Sequence, residues 1–75
     1  MVKIYTTPTC VFCKKTKEFF KEHTIEYQEI DASTTQGLQE LLTKSGQMAV
    51  PVIDIDGNIV IGFDKGRLKE LLHIK

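Results

Sequence analysis

Several things are missing from this chain of 75 residues, and each absence narrows what it does. Neither charge is in excess: ten Lys and Arg balance ten Asp and Glu, for a formal net charge of zero. No basic footprint is therefore present to recruit nucleic acid or an anionic membrane surface. No segment approaches the roughly 20 apolar residues of a spanning helix, and the opening MVKIYTTP has too short an apolar run for a signal peptide. A cytoplasmic, monomeric protein with no membrane partner is expected. Internal repeats, low-complexity tracts and dividing linkers are absent too, which predicts one domain over residues 1–75. A chain this short buries only about 60% of its unfolded surface, so one modest core is available. With 41% apolar and 27% charged residues, the composition is that of an ordinary globular domain.

Cysteine is scarce, and its placement is informative. The two cysteines stand three apart in TTPTCVFCKKTKEFF, as Cys10 and Cys13. As a staple they close a loop of four residues, worth only about 2 kcal/mol by the chain-entropy formula. In a reducing compartment a CxxC pair is more often catalytic or metal-binding than structural. Structural zinc takes four Cys or His ligands, whereas only His23 and His73 remain, neither at ligand spacing. No metal is expected. The alternatives left open are a non-enzymatic CxxC metal scaffold, an iron–sulfur cluster shared between chains through Cys10, and an interaction module.

The pattern around the cysteines predicts the elements. Val2 to Thr6 alternates and stops at Pro8, as a strand does. From Val11 to His23, Cys13, Thr16, Phe19, Phe20 and His23 recur at helical spacing, with Lys14, Lys15, Lys17, Lys21 and Glu22 on the other side. Ile25 to Ile30, ending in Asp31, predicts a second strand, parallel to the first across a right-handed βαβ crossover. Ser33-Thr34-Thr35-Gln36 has the form of a capping box with Ser33 as the cap. It opens a helix carrying Leu38, Leu41 and Leu42 and ending near Ser45-Gly46. Val52 to Ile55 and Asn58 to Ile61 flank a tight turn at Asp56-Gly57 or Gly57-Asn58, which predicts an antiparallel hairpin. Asp64 caps a third helix striped by Leu68, Leu71 and Leu72. The expected order is βαβαββα.

At the start of the first helix, Cys10 meets backbone N–H groups without helical partners and the positive end of the macrodipole. Lys14 lies one turn on, and Lys15 and Lys17 add a weaker, salt-screened potential. A lowered Cys10 pKa is expected. A thiol near the reference value of about 8.5 is only a few per cent thiolate at neutral pH, and bringing it near 7 makes roughly half of it nucleophilic. Cys13, on the apolar face, is expected to stay protonated and to act as the resolving thiol. Phe12 is an exposed apolar contact for a partner.

With that context in place, the sequence resembles the thioredoxin superfamily, in its glutaredoxin-like and NrdH-redoxin branch. The pieces that carry the resemblance are Cys10-Val11-Phe12-Cys13 after the first strand, Val50-Pro51 before the third, and Ile61-Gly62-Phe63-Asp64 entering the last helix. It implies a thioredoxin-like α/β fold, a four-stranded mixed sheet with three helices, and dithiol–disulfide oxidoreductase activity with Cys10 as nucleophile and Cys13 as resolver. It also implies a cis Pro51 that presents the backbone of Val50 to a bound peptide or glutathione. Thr9, Phe12, Val50, Pro51, Gly62, Phe63 and Asp64 form the implied substrate rim, with Lys14 as a pKa lever. No tightly bound cofactor is implied beyond the redox-active Cys10–Cys13 disulfide, with glutathione as a co-substrate. Partners are disulfide-bearing proteins, ribonucleotide reductase among them. Glutaredoxins usually carry CPYC, a cation three residues before the first cysteine and a double glycine, where this chain has CVFC, Thr7 and Ile61-Gly62. Both glutathione and thioredoxin reductase therefore stand as reductants, with a potential in the range of about −200 to −270 mV.

Other residues have plainer readings. His23 suits a helix end, where the dipole is negative. Tyr5 is expected to pack beside the first strand, and Asp54 and Asp56 to be solvated strand and turn residues. Gly62 is expected to let substrate backbone approach closely.

Overall fold

The computed structural model describes residues 2–47 and 49–73. In chain order they form β1 (Val2–Thr6), α1 (Val11–Glu22), β2 (Tyr27–Asp31), α2 (Thr35–Ser45), β3 (Val52–Ile55), β4 (Asn58–Ile61) and α3 (Lys65–Leu71). The expected order βαβαββα is the one found. The sheet runs β2-β1-β3-β4, with β1 and β2 parallel and the other pairs antiparallel.

Alternation along the strands builds two cores, one on each face of the sheet. Val2 and Ile4 join Phe19 and Phe20 of α1, Ile53 and Ile55 of β3, Val60 of β4 and Leu68 of α3. Tyr5 points the other way, into a cluster with Ala32, Leu41 of α2 and Val52. Burying each such side chain contributes about 1.5–3 kcal/mol. The interior strand β3 is buried at all four positions, while β2 forms an edge and is largely exposed.

The hairpin forms as expected. Asp56 at φ 50° and Gly57 at φ 93° both take the left-handed region that a tight turn matched to strand twist requires. Asp54 departs from expectation: it is buried, 6% exposed, rather than solvated. Its Oδ1 accepts from the Gly57 N–H at 2.9 Å and its Oδ2 lies 3.7 Å from Lys44 Nζ, so the turn backbone and a lysine replace water.

Two boundaries are also corrected. The cap of α2 is Thr34, whose hydroxyl accepts from the Gly37 N–H at 3.0 Å. The expected box of Ser33 and Gln36 does not form, because Asp31 Oδ1 takes both the Ser33 N–H at 2.8 Å and its hydroxyl at 2.6 Å. A Cβ on Gly37 would overlap the Asp31 carbonyl, so α2 rests on the end of β2 through that glycine.

β2 begins at Tyr27, two residues later than expected, because the chain from Thr24 to Ile25 is still closing α1. Ile25 N–H donates to Phe20 O at 2.8 Å and Thr24 N–H to Lys21 O at 3.2 Å, the paired bonds that end a helix around a left-handed residue. Glycine usually holds that place; here it is Thr24, at φ 55°. A β-branched residue there is strained by about 1–2 kcal/mol. Thr24→Gly is expected to stabilise the protein by about 1 kcal/mol, read as a rise in the urea midpoint at unchanged slope; a midpoint that falls contradicts this account of the helix end.

Candidate active site

The turn after β1 folds back through the Cys10 N–H, which donates to Thr7 O at 3.2 Å, and α1 then begins with Cys10 as its N-cap. Cys10 has extended backbone, φ −89° and ψ 113°, the geometry of a cap residue. Its sulfur accepts from the Cys13 N–H at 3.2 Å. The cap that serine or aspartate supplies elsewhere is here a thiol.

Three residues on, Cys13 is 1% exposed, on the same helix face as buried Thr16, Phe19 and Phe20. Burial pushes its thiol up to about 12, helped by the adjacent Cys10 and opposed by the Thr7 backbone and the Lys17 charge. The sulfurs are free thiols in environments that differ sharply: Cys10 is half-buried and Cys13 enclosed.

Both line one open cleft of about 510 Å³, together with Thr6, Thr7, Pro8, Lys14, Lys17, Glu29 and Asp31. That is within the size range of small-molecule sites. On its far wall Glu29 Oε2 accepts from the Thr6 hydroxyl at 2.8 Å and from Lys17 Nζ at 3.0 Å. These two donors, the hydroxyl first, hold the Glu29 carboxyl below its ordinary value, and Glu29 in turn raises Lys17. Thr6 and Glu29 carried no signal at the level of sequence; their pairing needs β2 beside β1.

The remaining expected site residues fall in two places. Thr9 and Phe12 are exposed around Cys10, Phe12 being 57% open, and Lys15 Nζ sits 5.5 Å from the Phe12 ring centre; Val11, not among the expected site residues, is exposed beside them at 67%. Lys14 lines the cleft. The second group comes from the other strands. The Val50–Pro51 peptide is cis, as the resemblance implies, with Pro51 buried. Gly62, at φ 83°, donates its N–H to Pro51 O at 2.7 Å. Register unites the groups: Val52 pairs with Tyr5 and with Ile61, so Pro51, Gly62 and the Cys10 turn all leave the same end of the sheet. Phe63 turns inward, half-buried edge-on to Phe19 with ring centres 6.1 Å apart, and Asp64 spends an oxygen capping α3 through the Arg67 N–H at 3.1 Å. Among the described residues no group of three or more His, Cys, Asp or Glu side chains is placed to hold a metal ion.

A family profile described as glutaredoxin matches residues 2–60. The chain belongs to the glutaredoxin family, in its NrdH-like branch. It is 45% identical over 74 residues to a glutaredoxin-like 8.6 kDa protein in the rubredoxin operon of Clostridium pasteurianum, covering 97% of this chain and 99% of that one. It is 32% identical over 71 residues to the glutaredoxin-like protein NrdH of Lactococcus lactis, covering 95% and 99%. The crystal structure of the thioredoxin-like protein BC3987 superposes with a TM-score of 0.88 at 32% identity, over 95% of this chain and 99% of that one. The chain is a glutaredoxin-like redoxin with a thioredoxin fold.

The Thr6–Glu29–Lys17 arrangement in this redoxin has a measurable signature. Glu29 binds its proton more weakly folded than unfolded, so its contribution is fully present above the ordinary carboxyl value of 4.5 and fades as pH falls below it. For so exposed a pair that contribution is no more than about 1 kcal/mol. Glu29→Gln should therefore lower the melting temperature at pH 7, with the gap to the parent closing near about pH 3; a gap constant with pH would show that the carboxylate charge is not involved.

Proposed function

We propose that this redoxin is a dithiol–disulfide oxidoreductase, with Cys10 as the nucleophile and Cys13 as the resolving thiol. The observation that carries the reading is the asymmetry of the pair: one sulfur half-open and receiving the Cys13 N–H at 3.2 Å, the other 1% exposed beneath it. Cys10 as thiolate displaces one sulfur of a substrate disulfide, which leaves as a thiol, and a mixed disulfide forms on Cys10. Cys13 then attacks the Cys10 sulfur, releases the second substrate thiol and leaves an intramolecular Cys10–Cys13 disulfide. Two electrons have passed from the dithiol to the substrate, and an external reductant must return them.

The proposed substrate rim is Thr9, Phe12, Val50, Pro51, Gly62, Phe63 and Asp64. Exposed Val11 and Phe12 supply an apolar contact beside the reacting sulfur. Backbone next to the cis Pro51 is suited to pair with an extended peptide or with glutathione. Lys14 adds positive potential. The protein works with no tightly bound cofactor, on disulfide-bearing proteins that include ribonucleotide reductase, and draws electrons from glutathione or from thioredoxin reductase. The family supports the redoxin activity; the roles of these residues are our assignment.

With a disulfide substrate such as insulin supplied in excess as the terminal acceptor, glutathione plus glutathione reductase, or alternatively thioredoxin reductase, should sustain NADPH consumption through the protein in at least one arm. Cys10→Ser is expected to abolish turnover, and Cys13→Ser to accumulate mixed disulfides visible by mass spectrometry. Turnover that persists in Cys10→Ser, or no consumption with either reductant, contradicts the proposal.

A further inference from the structure

Lys17 and Glu29 have no part in the exchange just described, yet they border the same cleft as its two sulfurs. Lys17 stands four residues after Cys13 on α1, the spacing that puts two side chains on one helix face. Its ammonium is tethered: Glu29 Oε2 holds Nζ at 3.0 Å, and the same oxygen takes the Thr6 hydroxyl at 2.8 Å, so β1 and β2 together fix where the positive charge sits. Such a tether, partly exposed, contributes only modestly to stability. Its position beside Cys13 calls for another explanation.

We propose that Lys17, held by Glu29 and Thr6, is the positioning residue that supports Cys13 as it ionises to close the disulfide. The inference rests on the dithiol exchange proposed above. In that step the Cys13 thiol loses its proton through the cleft to solvent, and its sulfur attacks Cys10. The Cys10–Cys13 bond forms while the bond from Cys10 to the substrate sulfur breaks. That electron pair leaves on the substrate sulfur, which takes up a proton from solvent.

The difficulty of the step is burial, which keeps the Cys13 thiol protonated. Before substrate arrives, Cys10 also opposes ionisation; once its sulfur is in a mixed disulfide it carries no charge. The groups then facing the two sulfurs are Lys14 and Lys17 from α1, and Glu29 and Asp31 from β2, while β1 and its turn present the neutral Thr6, Thr7 and Pro8. Of these, Lys17 is the charged side chain that acts on Cys13, and it acts in the direction of ionisation. Glu29 is a poor base, since its own carboxyl is held low, and its part is to keep the lysine in place.

Dithiobis(nitrobenzoate) separates the two steps, because the attack of Cys10 releases one coloured thiolate and the closure by Cys13 releases a second. The ratio of the second rate to the first isolates the resolving step from changes in reagent binding. Lys17→Met is expected to lower that ratio about tenfold near neutral pH and to move the pH profile of the second phase about one unit upward. Lys17→Arg should restore most of the ratio, and Glu29→Gln should lower it by a smaller factor. A ratio and profile unchanged in Lys17→Met overturn the inference while leaving the dithiol reading intact. A parent protein that releases only one thiolate, in reduced and folded form, removes the dithiol reading itself.

Discussion

The N–H of Cys13 pointed at the sulfur of Cys10 is the contact around which the site is arranged. A helix must satisfy the donors of its first turn, and a cap side chain is the ordinary solution. With sulfur as the cap, the structural need of α1 is met by a residue that also lines the open cleft. The same bond fixes the spacing of the pair: a cap accepts from the third residue inward, so the second cysteine is the one whose N–H is donated. Its side chain then falls on the buried face with Thr16, Phe19 and Phe20, 1% exposed at the floor of the cleft. Two chemically equal residues become unequal through helix geometry alone.

The sheet brings the rest to that point. β1 delivers the cysteine turn, and β3, antiparallel beside it, starts where β1 stops, so the cis Val50–Pro51 peptide leaves the same end. β4 returns to that end and hands Gly62 to Pro51 through a 2.7 Å hydrogen bond. β2, parallel to β1, ends there as well and lays Glu29 and Asp31 along the cleft. The mixed sheet thus brings four chain segments to the one end where the two sulfurs lie, with the two cores on either face holding the strands in register.

Much of this was legible in the chain because the signals were local. Alternation in Val2–Thr6, the helical stripe of Phe19 and Phe20, and the Asp56-Gly57 turn each specify their element without help from the rest. Where neighbours compete for the same groups, local patterns misled: Asp31 claims Ser33, so Thr34 caps α2, and Thr24 closes α1 in a conformation usually left to glycine, so β2 starts late. Asp54 reads as a turn residue, but it is buried because Lys44 and the Gly57 N–H reach it across the fold. The Lys17–Glu29 pair, twelve residues apart, depends on α1 lying against the sheet edge, which no periodicity reveals. The cis Pro51 came from resemblance to a family, since an X-Pro bond by itself has only about a 5% chance of being cis.

The central claim is that the cap position makes one sulfur available and the helix interior withholds the other. Limited alkylation of the reduced, folded protein with iodoacetamide at neutral pH, with the modified sites mapped by mass spectrometry, reads this directly. Cys10 should react at least about tenfold faster than Cys13, and Cys13 should be labelled readily only after unfolding in denaturant. Equal labelling of the two sulfurs in the folded state, or Cys13 reacting first, would contradict the account.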